Sequence, residues 1–146
     1  MEIIYDDAEV IAALQRLRDQ VGNIRPALAE IGEAISESTK HRFETTTGPD
    51  GGLWDANSDV TIERKGHARP LTGKTGELMD SIHPQLDGDF AVAIGSNKDQ
   101  AAMMQFGGTK DEFSNLWGDI PARPYLGVSD ADKTAVLAII ERHLNL

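Results

Sequence analysis

The sequence predicts an α+β fold, in which N-terminal helices and a C-terminal helix pack on a small antiparallel β-sheet with long loops. Apolar residues recur at helical spacing from Val10 to Ile35. Two alternating segments flank an Asp-Gly turn near residue 87, and an apolar segment behind a capping residue ends the chain. The 146 residues are expected to form a single domain, residues 1–146.

The N-terminal part is predicted to form two helices, over residues 7–21 and 24–45. An aspartate near residue 6 suits the first N-cap, while Gly22 and Pro26 interrupt the pattern between the helices. One narrow apolar face runs through both helices. It is either core or a coiled-coil or ring-forming seam, because spacing alone leaves both open. The face consists of Val10, Leu14, Leu17, Val21, Ile24, Leu28, Ile31 and Ile35.

Three segments are predicted to be strands. Leu78–Ile82 and Phe90–Ile94 lie on either side of Asp87-Gly88, which is a hairpin signal. Phe90, Val92 and Ile94 would then share one half-buried face. Arg123–Val128 is expected to form the third strand.

The remaining segments are predicted to be two helices and two long loops. A short helix is expected over residues 99–106, ended by glycine, and a final helix runs from Ser129 or Asp130 to about residue 144. Residues 46–75 and 107–119 are rich in turn residues and are expected to be loops. Loops this long are more often functional than passive.

The charge of the chain excludes one class of partner. It has 14 Lys+Arg against 24 Asp+Glu, a formal net charge of -10, whereas nucleic-acid binders carry a basic surface. Tight nucleic-acid binding is therefore not expected. The N-terminus has no signal-peptide pattern, and no apolar run approaches a membrane span. We expect no membrane association.

Catalytic and metal-binding patterns are lacking in the sequence. The chain has no cysteine, and its four histidines show no ligand spacing. Gly73-Lys74-Thr75 has the end of a phosphate-binding loop, but Ala68 occupies the position of the required upstream glycine. No catalytic residue, metal, cofactor or small-molecule substrate is expected.

Five short motifs follow one another along the chain. They are Phe43 with Pro49-Asp50-Gly51 and Trp54, Leu71 with Thr75–Ile82, Val92–Ser96, Ala101–Gly108, and Ile120–Ser129. Together they resemble the phage virion morphogenesis family, which includes tail completion proteins of Mu-like and P2-like phages. The most specific part is QFGG followed by IPARPYLG.

The resemblance implies a virion assembly role without catalysis. It implies a small α+β protein that forms a ring, expected to be hexameric, in tail completion or head–tail joining. Its partners would be further copies of itself and adjoining tail or neck proteins. It would reside in the tail or neck of the virion, and in the host cytoplasm during assembly.

Seven residues are candidates for the subunit interface: Trp54, Gln105, Phe106, Gly107, Trp117, Arg123 and Tyr125. Arg123 lies between prolines, and either bonds a carboxylate of a neighbouring subunit or forms an internal pair. Phe106 is either a subunit contact, with the following glycines admitting another backbone, or a core residue. Each tryptophan either contributes to an interface or pins its own loop.

Two other hypotheses remain open from the sequence. One is a monomeric, non-catalytic adaptor that binds another phage or host protein, which the behaviour of the chain in solution would distinguish from a ring former. The other is a small hydrolase or metal-dependent enzyme. That reading requires a pocket with a perturbed carboxylate pair or a bound metal.

Overall fold

The computed structural model describes residues 4–57, 70, 76–114 and 119–145. The described part consists of helices and an antiparallel hairpin, which confirms the predicted α+β class. None of the described helices combines the length and apolar character that crossing a bilayer requires. The elements are α1 (Ala8–Val21), α2 (Arg25–Thr45), α3 (Glu77–Ser81), β1 (His83–Asp87), β2 (Ala91–Gly95), α4 (Ala101–Phe106) and α5 (Asp130–Leu144).

The chain divides into two compact units. The loop unit consists of Thr39–Ile82 and Ser96–Gly127. The helical unit consists of Glu2–Ser38, His83–Gly95 and Val128–Leu146. The prediction of a single domain over residues 1–146 stays a prediction.

Helix α1 begins and ends as its sequence predicts. The Asp7 carboxylate accepts hydrogen bonds from the backbone N–H groups of Glu9 (3.0 Å) and Val10 (3.1 Å), which otherwise lack helical partners. At the other end Gly22 has φ +83° and its N–H bonds the Arg18 carbonyl at 2.7 Å. Helix α2 then begins at Arg25, so the two predicted helices are confirmed.

Helix α5 begins with a capping box. Ser129 Oγ accepts from the Asp132 N–H, and the Asp132 carboxylate accepts from the Ser129 N–H, both at 3.0 Å. The same carboxylate accepts from Ser38 Oγ at 2.5 Å, which ties the start of α5 to α2. The final helix is therefore confirmed at the predicted place.

The predicted apolar face forms the core of the helical unit. Val21 is the exception, since it is 54% exposed at the end of α1. The hairpin covers this core through its half-buried Leu86, Val92 and Ile94. The buried core residues are Val10, Ala13, Leu17, Ile24, Ala27, Leu28, Ile31, Ile35, Val136, Ile139 and Ile140.

The hairpin is present, but its first strand begins later than predicted. Strand β1 pairs with β2 from His83↔Gly95 to Asp87↔Ala91, and Phe90 lies in the turn, 62% exposed. The prediction of a strand over Leu78–Ile82 was wrong. Leu78 and Ile82 are both buried at a spacing of four, which suits a helical turn, so this segment forms α3.

A close approach joins the hairpin to α2 at Gly32. A Cβ atom there would lie 2.8 Å from Pro84 Cβ and 2.9 Å from Val92 Cγ2, so only glycine fits without displacement. The absent side chain lets the half-buried face of the hairpin reach the helix surface.

The predicted third strand over Arg123–Val128 is not formed. The N–H of Arg123 bonds the Met104 carbonyl, and those of Tyr125 and Leu126 bond the Gln105 side chain. Proline at positions 121 and 124 removes two further donors. These groups are therefore not available for a strand ladder.

Candidate functional site

Three aromatic side chains form the centre of the loop unit. Phe43, in the last turns of α2, is fully buried, and its ring centroid lies 5.6 Å from Trp54 and 5.4 Å from Tyr125. The Phe43 and Trp54 rings meet edge to face at 79°. The indole N–H of Trp54 donates to the Pro124 carbonyl at 2.7 Å. Trp54 therefore pins residues 46–57 to the segment around Pro124.

Tyr125 is a buried residue whose backbone N–H and side-chain hydroxyl both form hydrogen bonds. Its side chain is 0% exposed, and its hydroxyl donates to the Ala101 carbonyl at 2.7 Å, at the start of α4. Burial raises the pKa of the Tyr125 phenol to about 12, because the ionised form would be desolvated. The hydroxyl is thus neutral and a donor throughout the physiological range.

The side chain of Gln105 makes the backbone hydrogen bonds that a neighbouring strand would otherwise make with the residues after Pro124. Its amide oxygen accepts from the N–H groups of Tyr125 and Leu126, both at 3.0 Å, and its amide nitrogen donates to the Leu126 carbonyl at 3.2 Å. The side chain is buried, with 6% exposure. One glutamine therefore satisfies three backbone groups that water cannot easily reach.

Two buried arginines donate to backbone carbonyls. Arg123 Nε and Nη2 bond the carbonyls of Asp55 (2.8 Å) and Ala56 (3.1 Å). Arg42 Nη1 bonds the carbonyl of Tyr125 at 2.8 Å and that of Gly127 at 3.3 Å. Each guanidinium therefore holds an irregular segment in place. The segment that Arg123 holds precedes it in sequence, and the segment that Arg42 holds follows it.

Burial affects the ionisation of Arg123. Desolvation lowers the pKa of its guanidinium, and the nearby Asp55 charge raises it in part. Arginine nevertheless stays charged at neutral pH. The described bonds of Arg123 are internal, which accounts for its burial, while its predicted bond to a neighbouring subunit stays a prediction.

Gly107 brings two backbone segments together. It has φ +69°, and a Cβ atom there would lie 2.6 Å from both the Ala122 nitrogen and the Ile120 carbonyl oxygen. The next residue, Gly108, forms a β-bridge with Ile120. The backbone that approaches this glycine belongs to the same chain.

Phe106 differs from the other candidates because its side chain is 57% exposed. The alternative of a core phenylalanine does not describe it. Trp117 lies outside the described residues. Of the seven candidates, the structure therefore brings five into one group, which we call the braced cluster: Trp54, Gln105, Gly107, Arg123 and Tyr125. Phe106 is exposed beside it, at the end of α4.

Arg42 is as central to the cluster as Arg123, although no sequence motif indicated it. One signal could have found it. Thr39, Arg42 and Phe43 recur at spacings of three and four, and all three are buried. The same helical periodicity that marks the apolar face therefore continues to the end of α2 with polar members.

Chemically, the cluster is a set of donors and acceptors that hold loops in place. Within the described ranges, no group of three or more His, Asp or Glu side chains is arranged to hold a metal ion. The polar side chains described above bond backbone groups of their own chain.

Comparison with known proteins identifies the family. Neither a search of curated proteins nor a search of solved structures finds a match. A scan against family models matches the phage virion morphogenesis family over residues 5–145. This match includes all of the motifs whose residues form the braced cluster. The chain therefore belongs to the phage virion morphogenesis family.

Proposed function

We propose that the chain is a structural subunit of a hexameric ring that completes the phage tail or joins the tail to the head. The ring would contact adjoining tail or neck proteins and would carry out no catalytic step. The observation that carries the proposal is the family match over residues 5–145, which places the chain in virion morphogenesis.

The braced cluster supports a role based on fixed surfaces. A loop contributes to a stable interface at lower entropic cost when it is ordered before binding. Residues 46–57 and 119–127 are held by Trp54, Arg123, Gln105 and Arg42. These segments are therefore suited to present a defined shape to a neighbouring subunit.

Phe106 is the side chain best suited to test a subunit contact. Aromatic residues, phenylalanine included, are enriched in the cores of protein interfaces, and truncating a residue that dominates binding costs about 2 kcal/mol or more. Arg123 is a poorer probe, because replacing it also removes the bonds that hold Asp55 and Ala56. Phe106 is 57% exposed, so its replacement disturbs the internal packing less than that of a buried candidate.

The first experiment removes the gene from the phage that encodes it and examines the particles by electron microscopy. We expect tails without a completed end, or separated heads and tails, and rescue by the wild-type gene supplied in trans. Infective, normally joined particles without the gene would reject the proposed function.

The second experiment compares Phe106→Ser with Phe90→Ser in the rescue. Phe90 is also largely exposed, at 62%, but it lies in the hairpin turn and is none of the seven candidates. We expect Phe106→Ser to weaken subunit association by roughly 30-fold, which corresponds to about 2 kcal/mol, and Phe90→Ser to rescue normally. Equal rescue by both variants would exclude Phe106 from the contact without rejecting the assembly role.

A further inference from the structure

The outer edge of β2 has no partner among the residues that the structure describes. Strand β2 pairs with β1 along one side, and no other segment in the described part of the chain bonds its backbone. In an antiparallel pair, alternate N–H and C=O groups of each strand point away from the partner. Such an edge is a template for another strand.

The two edges of the hairpin differ in how they are protected. Strand β1 contains Pro84, which lacks an N–H, and ends in the charged Asp87. Strand β2 reads Ala91–Gly95, with neither proline nor charge. A Cβ atom added at Gly95 would meet nothing within 4 Å, so the face of the sheet at this end of the strand is open.

The residues of β2 are complementary to themselves. In antiparallel pairing centred on Ala93, Ala93 faces its own copy, Val92 faces Ile94, and Ala91 faces Gly95. Small exposed residues then lie together on one face. The half-buried Val92 and Ile94, which cover the core of the helical unit, lie together on the other and continue that apolar face.

We propose that β2 binds β2 of a second copy of this chain, forming a continuous four-stranded antiparallel sheet across a two-fold axis. The second copy is the favoured occupant because it supplies an uncharged strand with the same alternation. A two-fold contact closes at two copies, so this dimer goes beyond the proposed ring, whose head-to-tail contacts need another surface.

A cysteine introduced at the axis tests the pairing directly, because the chain contains no cysteine. Ala93→Cys places two thiols opposite each other in the dimer, close to the Cβ separation that a disulfide needs. The matched control is Gln85→Cys, since Gln85 is the exposed cross-strand neighbour of Ala93 on β1. In the dimer the two Gln85 positions would be about 14 Å apart, three strand spacings, which is too far for a disulfide.

Under mild oxidation of dilute protein, we expect a disulfide-linked dimer from Ala93→Cys and monomer from Gln85→Cys, on a non-reducing gel. Circular dichroism checks that both variants keep the wild-type fold. Equal cross-linking of the two variants, or no cross-linking of Ala93→Cys, would overturn the proposal.

A second measurement uses charge. Ala93→Asp sets two carboxylates face to face at the axis, whereas Gln85→Asp adds the same charge on β1. By light scattering coupled to size exclusion, we expect the dissociation constant of the dimer to rise at least about tenfold for Ala93→Asp relative to Gln85→Asp. A wild-type chain that stays at its monomer mass of 15.9 kDa over a wide concentration range would also overturn the proposal.

Discussion

The helical unit and the loop unit are held together by different kinds of side chain. In the helical unit the buried residues are almost all aliphatic, from Val10 to Ile140. In the loop unit three aromatic rings are surrounded by buried Arg42, Gln105 and Arg123. Helices satisfy their own backbone groups, so an aliphatic core is sufficient for them, whereas irregular segments need side chains to bond their carbonyls and N–H groups. Stability in this protein therefore has two separate chemical bases.

The largest expected effect tests the aliphatic basis of the helical unit. Ile140 is fully buried, so Ile140→Ala removes apolar contacts and leaves a cavity. We expect a loss of about 3 kcal/mol in the free energy of unfolding, measured by urea denaturation. Ile140→Val is the matched control and should lose about 1 kcal/mol. Equal losses for the two variants would mean that the site collapses around the cavity.

The next effect tests the polar basis of the loop unit. Gln105→Leu keeps the bulk of the side chain but leaves the N–H groups of Tyr125 and Leu126 without their acceptor. We expect a loss of about 2 kcal/mol in the free energy of unfolding, because buried unpaired donors are costly. Gln105→Glu keeps an acceptor oxygen and should lose less. If Gln105→Leu were as stable as wild type, the distinction between the two units would fail.

The smallest effect concerns Tyr125 and pH. Its pKa is raised from an ordinary value of 10.0 to about 12, so the fold favours the neutral phenol. The stability that this contributes is fully present below pH 10 and is lost as the pH rises through about 12. Tyr125→Phe should lose about 1 kcal/mol in the free energy of unfolding at neutral pH, because the hydrogen bond from the hydroxyl to the Ala101 carbonyl is removed.

Denaturation of wild type and Tyr125→Phe between pH 8 and 12 checks this prediction. We expect the wild type to lose stability more steeply than the variant above pH 10, since the variant has no phenol to ionise at this position. Parallel pH profiles for the two proteins would show that Tyr125 titrates alike in the folded and unfolded chain.

The difference between the units also explains which parts of the fold could be predicted. The stripe from Val10 to Ile35 and the cap at Ser129 are local patterns, so α1, α2 and α5 were predicted correctly. In the loop unit the decisive bonds are non-local, such as that of Trp54 with Pro124. Arg123–Val128 alternates like a strand, but Gln105 provides the partner that a strand would have provided. No spacing in the sequence indicates such a bond.

The candidate site shows the same limit. The motifs selected Trp54, Gln105, Gly107, Arg123 and Tyr125 as candidates for a subunit interface, which stays a prediction, and the structure joins them in one internal cluster. Their roles were harder to predict, because a buried arginine that bonds carbonyls and one that binds a neighbouring subunit look alike in sequence. Only exposure separates Phe106 from the others.

Both units are completed by residues that follow position 119. The segment from Ile120 to Gly127 provides Arg123 and Tyr125 to the loop unit, and α5 provides Val136, Ile139 and Ile140 to the helical unit. A ribosome that has reached residue 119 has therefore made neither closing segment. Until these segments have been made, Phe43 and the apolar face of α1 and α2 lack these partners, and such nascent chains are prone to aggregate. A premature stop codon in this region would consequently remove the folding of both units together.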